Sequence, residues 1–133
     1  MIDIEAYVFT PVAQAVRAAY DGAFVSGEYV QAPAKFPHIS IVEQDNYMSV
    51  NRLDNSNTEK YATVMYQVDV YTNKTSGKKK QAREIMSLVD SMMYAKNFTR
   101  ISMTPVPNYA DATIYRLTAR YRAETDGEAL YRI

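Results

Sequence analysis

The chain has 133 residues, of which 47% are apolar and 23% charged, a composition that excludes wholesale disorder and suits one folded domain. Fifteen basic and fifteen acidic residues give a formal net charge of zero, so no global attraction to nucleic acid or to a membrane surface is indicated. The absence of cysteine excludes disulfides and thiolate metal sites, and it fits production in a cytoplasm.

The first predicted element is a helix over residues 3–20. Asp3 can cap its first turn, and Thr10 and Pro11 form a second start signal, with Thr10 as N-cap and Pro11 at the first helical position. A single helix kinked at Pro11 is the alternative. The opening residues lack the basic region and apolar core of a signal peptide, and no apolar run approaches the ~20 residues needed to span a bilayer.

Short extended pieces follow over residues 23–25 and 28–31, and Ser26-Gly27 between them predicts a tight hairpin. Alternation of apolar and polar residues predicts a strand over 38–44. Residues 45–59 are polar and rich in turn formers, which predicts a long exposed loop or flap.

Residues 60–72 have the clearest strand pattern, because alternate positions carry Val64, Tyr66, Val68 and Val70. This strand is longer than most, which suggests that one end projects beyond the core as a pairing arm. The next predicted element is an amphipathic helix over 79–95. Its apolar face contains Ala82, Ile85, Met86, Val89, Met92 and Met93.

The end of this helix is marked by Asn97, which suits a left-handed C-terminal position, and by Phe98, which would seal the helix end. A short strand is predicted over 101–104 and a long one over 113–123. The final residues, 124–133, form either an ordered arm or a frayed end.

These elements predict an α+β fold in which both helices pack on one face of a mostly antiparallel sheet. No internal repeat, low-complexity tract or linker divides the sequence. We therefore expect a single domain over residues 1–133, with the C-terminal arm as its only extension.

The sequence offers no set of residues spaced for catalysis or for binding a cofactor or metal. His38 is the only histidine, and a structural or surface role is predicted for it. Gly77-Lys78 between a strand and a helix invites comparison with a phosphate-binding loop. However, Thr72 occupies the position where that motif needs glycine, and Lys79 the position where it needs serine or threonine.

Basic residues cluster where the helix begins. The cluster consists of Lys74, Lys78, Lys79, Lys80 and Arg83. A solvated loop is the first explanation, contact with an acidic patch on a neighbouring subunit the second and contact with DNA the third. A second basic group, Arg116, Arg120 and Arg122, lines one face of the last long strand, where pairing with cross-strand acids is a commoner explanation than phosphate binding.

Charge is also unevenly distributed along the chain. Residues 1–50 hold six acids and two bases (net −4), whereas residues 51–100 hold nine bases and five acids (net +4). A head-to-tail oligomer could use such complementary faces, and chance segmentation is the alternative.

Several segments together resemble the tail terminator, or tail completion, proteins of long-tailed bacteriophages. The resemblance covers most of the chain and includes the short N-terminal helix. Its other parts are the strand YQVDVYTN, the helix GKKKQAREIMSLVDSMM, the turn NFTR and the late strand TIYRLTARYRAE.

The resemblance implies a structural subunit of the virion neck, made in the host bacterial cytoplasm, without cofactor or membrane contact. Six copies would form a ring on the last layer of the tail tube, stop tube growth and join the tail to the head connector or stopper protein. In contractile tails the ring would also contact the sheath, and DNA would pass close by in the lumen.

Two alternatives are a head-completion or stopper protein of the same neck and a DNA-binding module that uses residues 74–83. A small soluble enzyme or nucleotide-binding protein is disfavoured by the single histidine, the absence of cysteine and the failed phosphate-loop match, so the protein is not expected to be an enzyme. For the terminator we expect the loop at the helix start, the flap over 46–59 and the C-terminal arm to make contacts. The predicted contact residues are Asn73, Lys74, Lys78, Lys79, Lys80, Arg83, Arg116, Arg120 and Arg122.

Overall fold

The computed structural model describes residues 1–30, 33–49, 60–107 and 111–133. Within these ranges the chain forms two helices and a six-stranded sheet. In chain order the elements are α1 (Glu5–Ala19), β1 (Phe24–Ser26), β2 (His38–Met48), β3 (Ala62–Thr72), α2 (Lys78–Ala95), β4 (Thr99–Val106), β5 (Tyr115–Thr125) and β6 (Leu130–Tyr131).

The strand order is β1-β2-β3-β5-β4, with β6 added beside the end of β5. All neighbours are antiparallel except β1 and β2, which run parallel. The helices lie against one face of this sheet, so the predicted α+β fold is confirmed.

The core lies between that sheet face and the two helices. The four predicted alternate positions of β3 are fully buried: Val64, Tyr66, Val68 and Val70. They belong to one cluster with apolar residues of α2, such as Ile85 and Val89, and of α1, such as Val12. Burying each such side chain stabilises the fold by about 1.5–3 kcal/mol, so these faces fix how the helices sit on the sheet.

The long strand β3 lies in the middle of the sheet and does not project from it. It pairs with β5 over its whole length, from Ala62 opposite Thr125 to Thr72 opposite Tyr115, and with β2 from Ala62 to Tyr71. The predicted projecting arm is therefore wrong. The length of β3 is used to satisfy backbone hydrogen bonds on both sides.

Helix α1 runs without a break through Pro11, so the predicted second start at Thr10 is wrong. The helix begins after Ile4, and the side chain of Asp3 accepts a hydrogen bond from the Glu5 backbone N–H at 3.0 Å. Val8 and Val12 are fully buried on either side of the proline. Their common apolar face keeps the helix continuous although Pro11 supplies no backbone N–H.

The predicted hairpin across Ser26-Gly27 is also wrong. Strand β1 pairs in parallel with the start of β2, Phe24 opposite His38 and Ser26 opposite Ser40. Residues 28–30 are not in a strand, and Gln31 lies outside the described residues. Gly27 does not adopt the positive φ that a tight two-residue hairpin turn requires, so the chain takes a longer path before it enters β2.

Strand β2 extends further than predicted, and its last residues, 45–48, pair with β3 after an irregularity between Glu43 and Asp45. Part of the predicted flap is therefore strand, and residues 50–59 lie outside the described residues. Strand β4 likewise extends beyond the predicted residues 101–104 and includes Pro105, which an edge strand tolerates.

The C-terminus of α2 has the predicted cap. Asn97 has φ 69°, and its N–H donates to the Tyr94 carbonyl, while the Phe98 N–H donates to the Met93 carbonyl. These two bonds form a Schellman motif, and the Phe98 ring is buried beneath it. The Asn97 side-chain amide also donates to the Leu130 carbonyl at 2.8 Å, which holds β6 against the helix end.

A basic surface at the start of α2 as the candidate contact site

The basic surface consists of Lys74, Lys79, Lys80 and Arg83, all exposed. It lies at the end of the sheet where β3 passes into α2. Gly77 turns the chain there with φ 83°, and the buried hydroxyl of Thr72 donates to the Lys78 carbonyl at 2.8 Å. These two features fix the direction in which α2 leaves the sheet.

Lys78 stands apart from this surface although it belongs to the same sequence cluster. It is half-buried, and its Nζ lies 3.4 Å from the Ala112 carbonyl and 3.3 Å from the Thr113 carbonyl. The neighbouring Asp111 carboxylate has a lowered pKa, mainly because the Thr113 side chain and backbone donate to it, and Lys78 adds a small attraction. Lys78 thus ties α2 to the segment before β5.

Helix α2 begins without electrostatic compensation. Its first turn contains three lysines and no acid, and among the described side chains none caps its N-terminus. Each positive charge near a helix N-terminus opposes the helix dipole by about 0.3–1 kcal/mol. The basic surface would therefore be stabilised by an anionic partner.

The three arginines of β5 lie on the sheet face opposite the helices, and the structure separates them from the basic surface. Arg116 is half-buried and pairs with Asp69, as expected for cross-strand neighbours. Arg120 is exposed. The Nε of Arg122 is buried, without a hydrogen-bond partner among the described residues.

His38 has a structural environment. Its side chain is buried, its Nε2 lies 3.1 Å from the Ser26 hydroxyl, and its ring packs against those of Phe24 and Tyr71. Burial lowers its pKa, which favours the neutral ring. Across residues 1–30, 33–49, 60–107 and 111–133, no three acidic or histidine side chains are grouped to hold a metal ion.

An acidic cleft at the other end of the molecule was not predicted from the sequence. It has a volume of about 470 Å³ and lies between the start of α1 and the turn that joins β5 to β6. Asp3, Glu5 and Glu128 contribute carboxylates, and Tyr7 and Phe9 contribute aromatic rings. Its two walls are more than a hundred positions apart in sequence, so no local pattern could have indicated it.

Residues 11–133 match the family model described as Tail completion protein gp17. The chain belongs to this family. The match covers the basic surface, the three arginines of β5 and the wall of the acidic cleft that comes from the β5–β6 turn, and it leaves out residues 1–10. No curated protein matches the sequence.

Membership of the tail completion family makes the protein a structural component of a bacteriophage tail, and therefore of the virion. The family is one of structural proteins and not of known enzymes. Neither α1 nor α2, the helices in the described part of the chain, is both long and apolar enough to cross a membrane.

Proposed function

We propose that this protein is a tail terminator: copies of it form a ring on the last layer of the tail tube, stop tube growth and join the tail to the head connector. The partners would be further copies of the chain, the tail tube protein, the connector or stopper protein and, in a contractile tail, the sheath. Family membership supports the assignment to the tail, and the basic surface supports a function that depends on contact.

The observation that carries the proposal is the exposure of Lys79, Lys80 and Arg83 at the N-terminus of α2. These charges oppose the helix dipole, and α2 is already anchored to the core by Ile85, Met86 and Val89. The fold does not need these charges, whereas a complementary acidic surface would be held in register by them. Lys74 belongs to the same surface, and its exposed neighbour Asn73 extends that surface in the loop before α2.

The proposal is tested by disrupting the gene and measuring tail length by electron microscopy. Overlong, headless tubes are expected if the protein ends tube growth. Normal-length tails beside unjoined, leaking heads would instead identify a head-completion or stopper protein. Intact, infectious particles would overturn a structural function at the neck.

Complementation with surface variants then tests the basic surface. The triple variant Lys79→Glu/Lys80→Glu/Arg83→Glu should fold normally and fail to restore tail length. Lys35→Glu is the comparison variant, because Lys35 is exposed in the loop before β2, at the same end of the sheet but outside the basic surface. Arg120→Glu tests separately whether the sheet face opposite the helices takes part.

Binding to DNA is the second candidate function, because the basic surface could meet phosphates as DNA passes the neck. It predicts salt-sensitive binding of the purified protein to duplex DNA that weakens in Lys79→Ala/Lys80→Ala. Binding that is absent, or unchanged in this variant, would remove the candidate. Zero net charge favours the terminator over this function.

A further inference from the structure

The basic surface and the acidic cleft lie at opposite ends of the molecule. The acidic cleft is next to the end of β3 that starts at Ala62, because Thr125 lines the cleft and pairs with Ala62. The basic surface follows Thr72 at the other end of the same strand. Ten residue steps at ~3.3 Å each separate Ala62 from Thr72 by about 33 Å, so the two surfaces cannot meet within one molecule.

The acidic cleft combines negative charge with an apolar lining. Ile4, Ala6, Phe9 and Leu130 contribute apolar surface beside the three carboxylates. Tyr7 is 53% exposed, and the Nζ of Lys96 lies over its ring at 3.9 Å from the centroid. Such a lining suits long side chains that bury an aliphatic stem and keep a cationic head near carboxylates.

A neighbouring group responds to the same negative charge. Burial raises the pKa of the Glu43 carboxyl, and repulsion from Asp3 and Glu5 raises it further. Two acids of the cleft therefore act on a third carboxylate nearby. A cation brought into the cleft would relieve this repulsion.

The basic surface has a matching shape. A shallow depression of about 770 Å³ runs along the exposed side of α2, lined by Gly77, Lys79, Lys80, Arg83, Glu84 and Ser87. Its three cationic side chains are of the length and charge that the acidic cleft accepts. The two surfaces are complementary, and one copy of the chain presents each of them once.

We propose that the acidic cleft of one copy receives the basic surface of the next copy. This inference rests on the proposed function, since it names the contact by which copies would associate around the tube. The contact is heterologous: each copy uses one surface for each neighbour. Repetition of such a contact closes into a ring when its rotation allows and otherwise gives an open filament, and the tube end supplies a template for closure.

The charges in this contact set its register and its rate of formation, while the rings of Tyr7 and Phe9 and the lysine and arginine stems supply buried apolar area. Self-association should therefore weaken as salt increases. The cleft would also distinguish the correct neighbour from a copy docked back to back, which would bring like charges together.

Crosslinking in assembled tails tests the contact, and the absence of native cysteine makes introduced thiols unique. We would build Lys80→Cys/Glu128→Cys in one chain and treat purified tails with a short bis-maleimide. A head-to-tail contact gives a ladder of linked copies beyond the dimer, whereas either single cysteine variant gives none. Thr104→Cys/Glu128→Cys is the matched control, because Thr104 is exposed on β4 outside both surfaces.

Charge exchange gives a second test. One variant reverses the charge of the cleft and the other reverses the charge of the basic surface: Glu5→Lys/Glu128→Lys and Lys79→Glu/Lys80→Glu/Arg83→Glu. Each variant, supplied alone and without introduced cysteines, should be incorporated into tails at least about tenfold less than the unaltered protein. Supplying both variants together should restore incorporation, because each altered surface then meets an oppositely altered surface on its neighbour. Contact with the tube protein alone would not be rescued in this way.

The two levels of proposal fail differently. Tails of normal length that contain the protein but give no ladder, or charge variants that are not rescued together, would overturn the head-to-tail contact and leave tail termination intact. Normal tails that form without the protein would overturn the proposed terminator function, and the head-to-tail contact that rests on it would be overturned as well.

Discussion

Arg116 and Asp69 form an ion pair on the sheet face that the helices do not cover, with Arg116 Nε 3.0 Å from Asp69 Oδ1. The Thr118 hydroxyl donates to the same oxygen, and Gln67 Nε2 donates to Asp69 Oδ2 at 3.0 Å. Asp69 is buried, whereas the Arg116 side chain retains 18% exposure. The pair therefore joins β3 to β5 where a lone carboxylate would be costly.

Arg116→Met should lower the free energy of unfolding by about 3 kcal/mol, because it leaves the Asp69 carboxylate buried without a cation. Urea unfolding measures the change. Arg120→Met is the control, since Arg120 lies on the same strand and face but is exposed, and its effect should stay within about 0.5 kcal/mol. Equal losses in the two variants would show that the ion pair does not stabilise the fold.

Tyr71 should make stability fall at high pH. Burial, helped by the Asp69 charge, raises the pKa of its phenol to about 12. The unfolded chain releases this proton near pH ~10 and the folded chain does not. The contribution of the protonated Tyr71 phenol to the free energy of unfolding is therefore complete below about pH 10 and is lost as pH rises towards about 12.

The measurement is urea unfolding across this alkaline range, with phenolate absorbance recorded alongside. Burial also raises the pKa of Tyr66 and Tyr121, so these three tyrosines should ionise last. In Tyr71→Phe the alkaline loss should be smaller, although stability at neutral pH falls because the hydroxyl bond to the Val30 carbonyl is removed. An unchanged alkaline slope in Tyr71→Phe would contradict the prediction.

Asn97 should tolerate glycine better than alanine. Both substitutions remove the amide bond to the Leu130 carbonyl, so their difference isolates the backbone conformation at φ 69°. Glycine adopts this conformation without penalty, and alanine should be the less stable of the two by about 1 kcal/mol. Thermal unfolding of the two variants, compared with the unaltered protein, gives the answer; an equal melting temperature would sink the argument.

Pro11→Ala should stabilise the protein. Alanine restores the N–H that helix α1 lacks at this position, and it removes the steric conflict of the proline ring with the preceding turn. We expect a gain of about 1 kcal/mol or more in the free energy of unfolding. Thr10→Ala serves as the control, because Thr10 is exposed in the middle of α1 and does not cap it. A lower free energy of unfolding in Pro11→Ala would mean that packing of the half-buried proline ring stabilises the protein more than the restored backbone hydrogen bond does.

The fold was predictable from sequence in segments where buried apolar residues recur at the regular spacing of a strand or a helix. The alternating valines of β3 and the helical spacing of Ile85, Met86 and Val89 identify their faces from neighbouring residues alone. Asn97 likewise signals its own conformation. The hairpin after Phe24 failed because β1 pairs with a strand reached through a longer path, and a turn signal does not reveal parallel pairing.

The candidate site was predictable only in part, for a related reason. A run of lysines marks the start of α2, but the sequence does not show that Lys78 bonds to the carbonyls before β5 while Lys79 and Lys80 face solvent. The acidic cleft depends on the packing of the chain's first turn against its last hairpin. Tertiary structure alone brings Glu5 and Glu128 to one place.

The separation of charge between the two ends of β3 also bears on how the protein behaves as a solute. A molecule with zero net charge but oppositely charged poles has a large dipole moment, and such molecules attract one another when few ions are present. We expect concentrated solutions near neutral pH to turn cloudy on dialysis into water and to clear when salt is added, a salting-in response. Purification and storage buffers should be chosen accordingly.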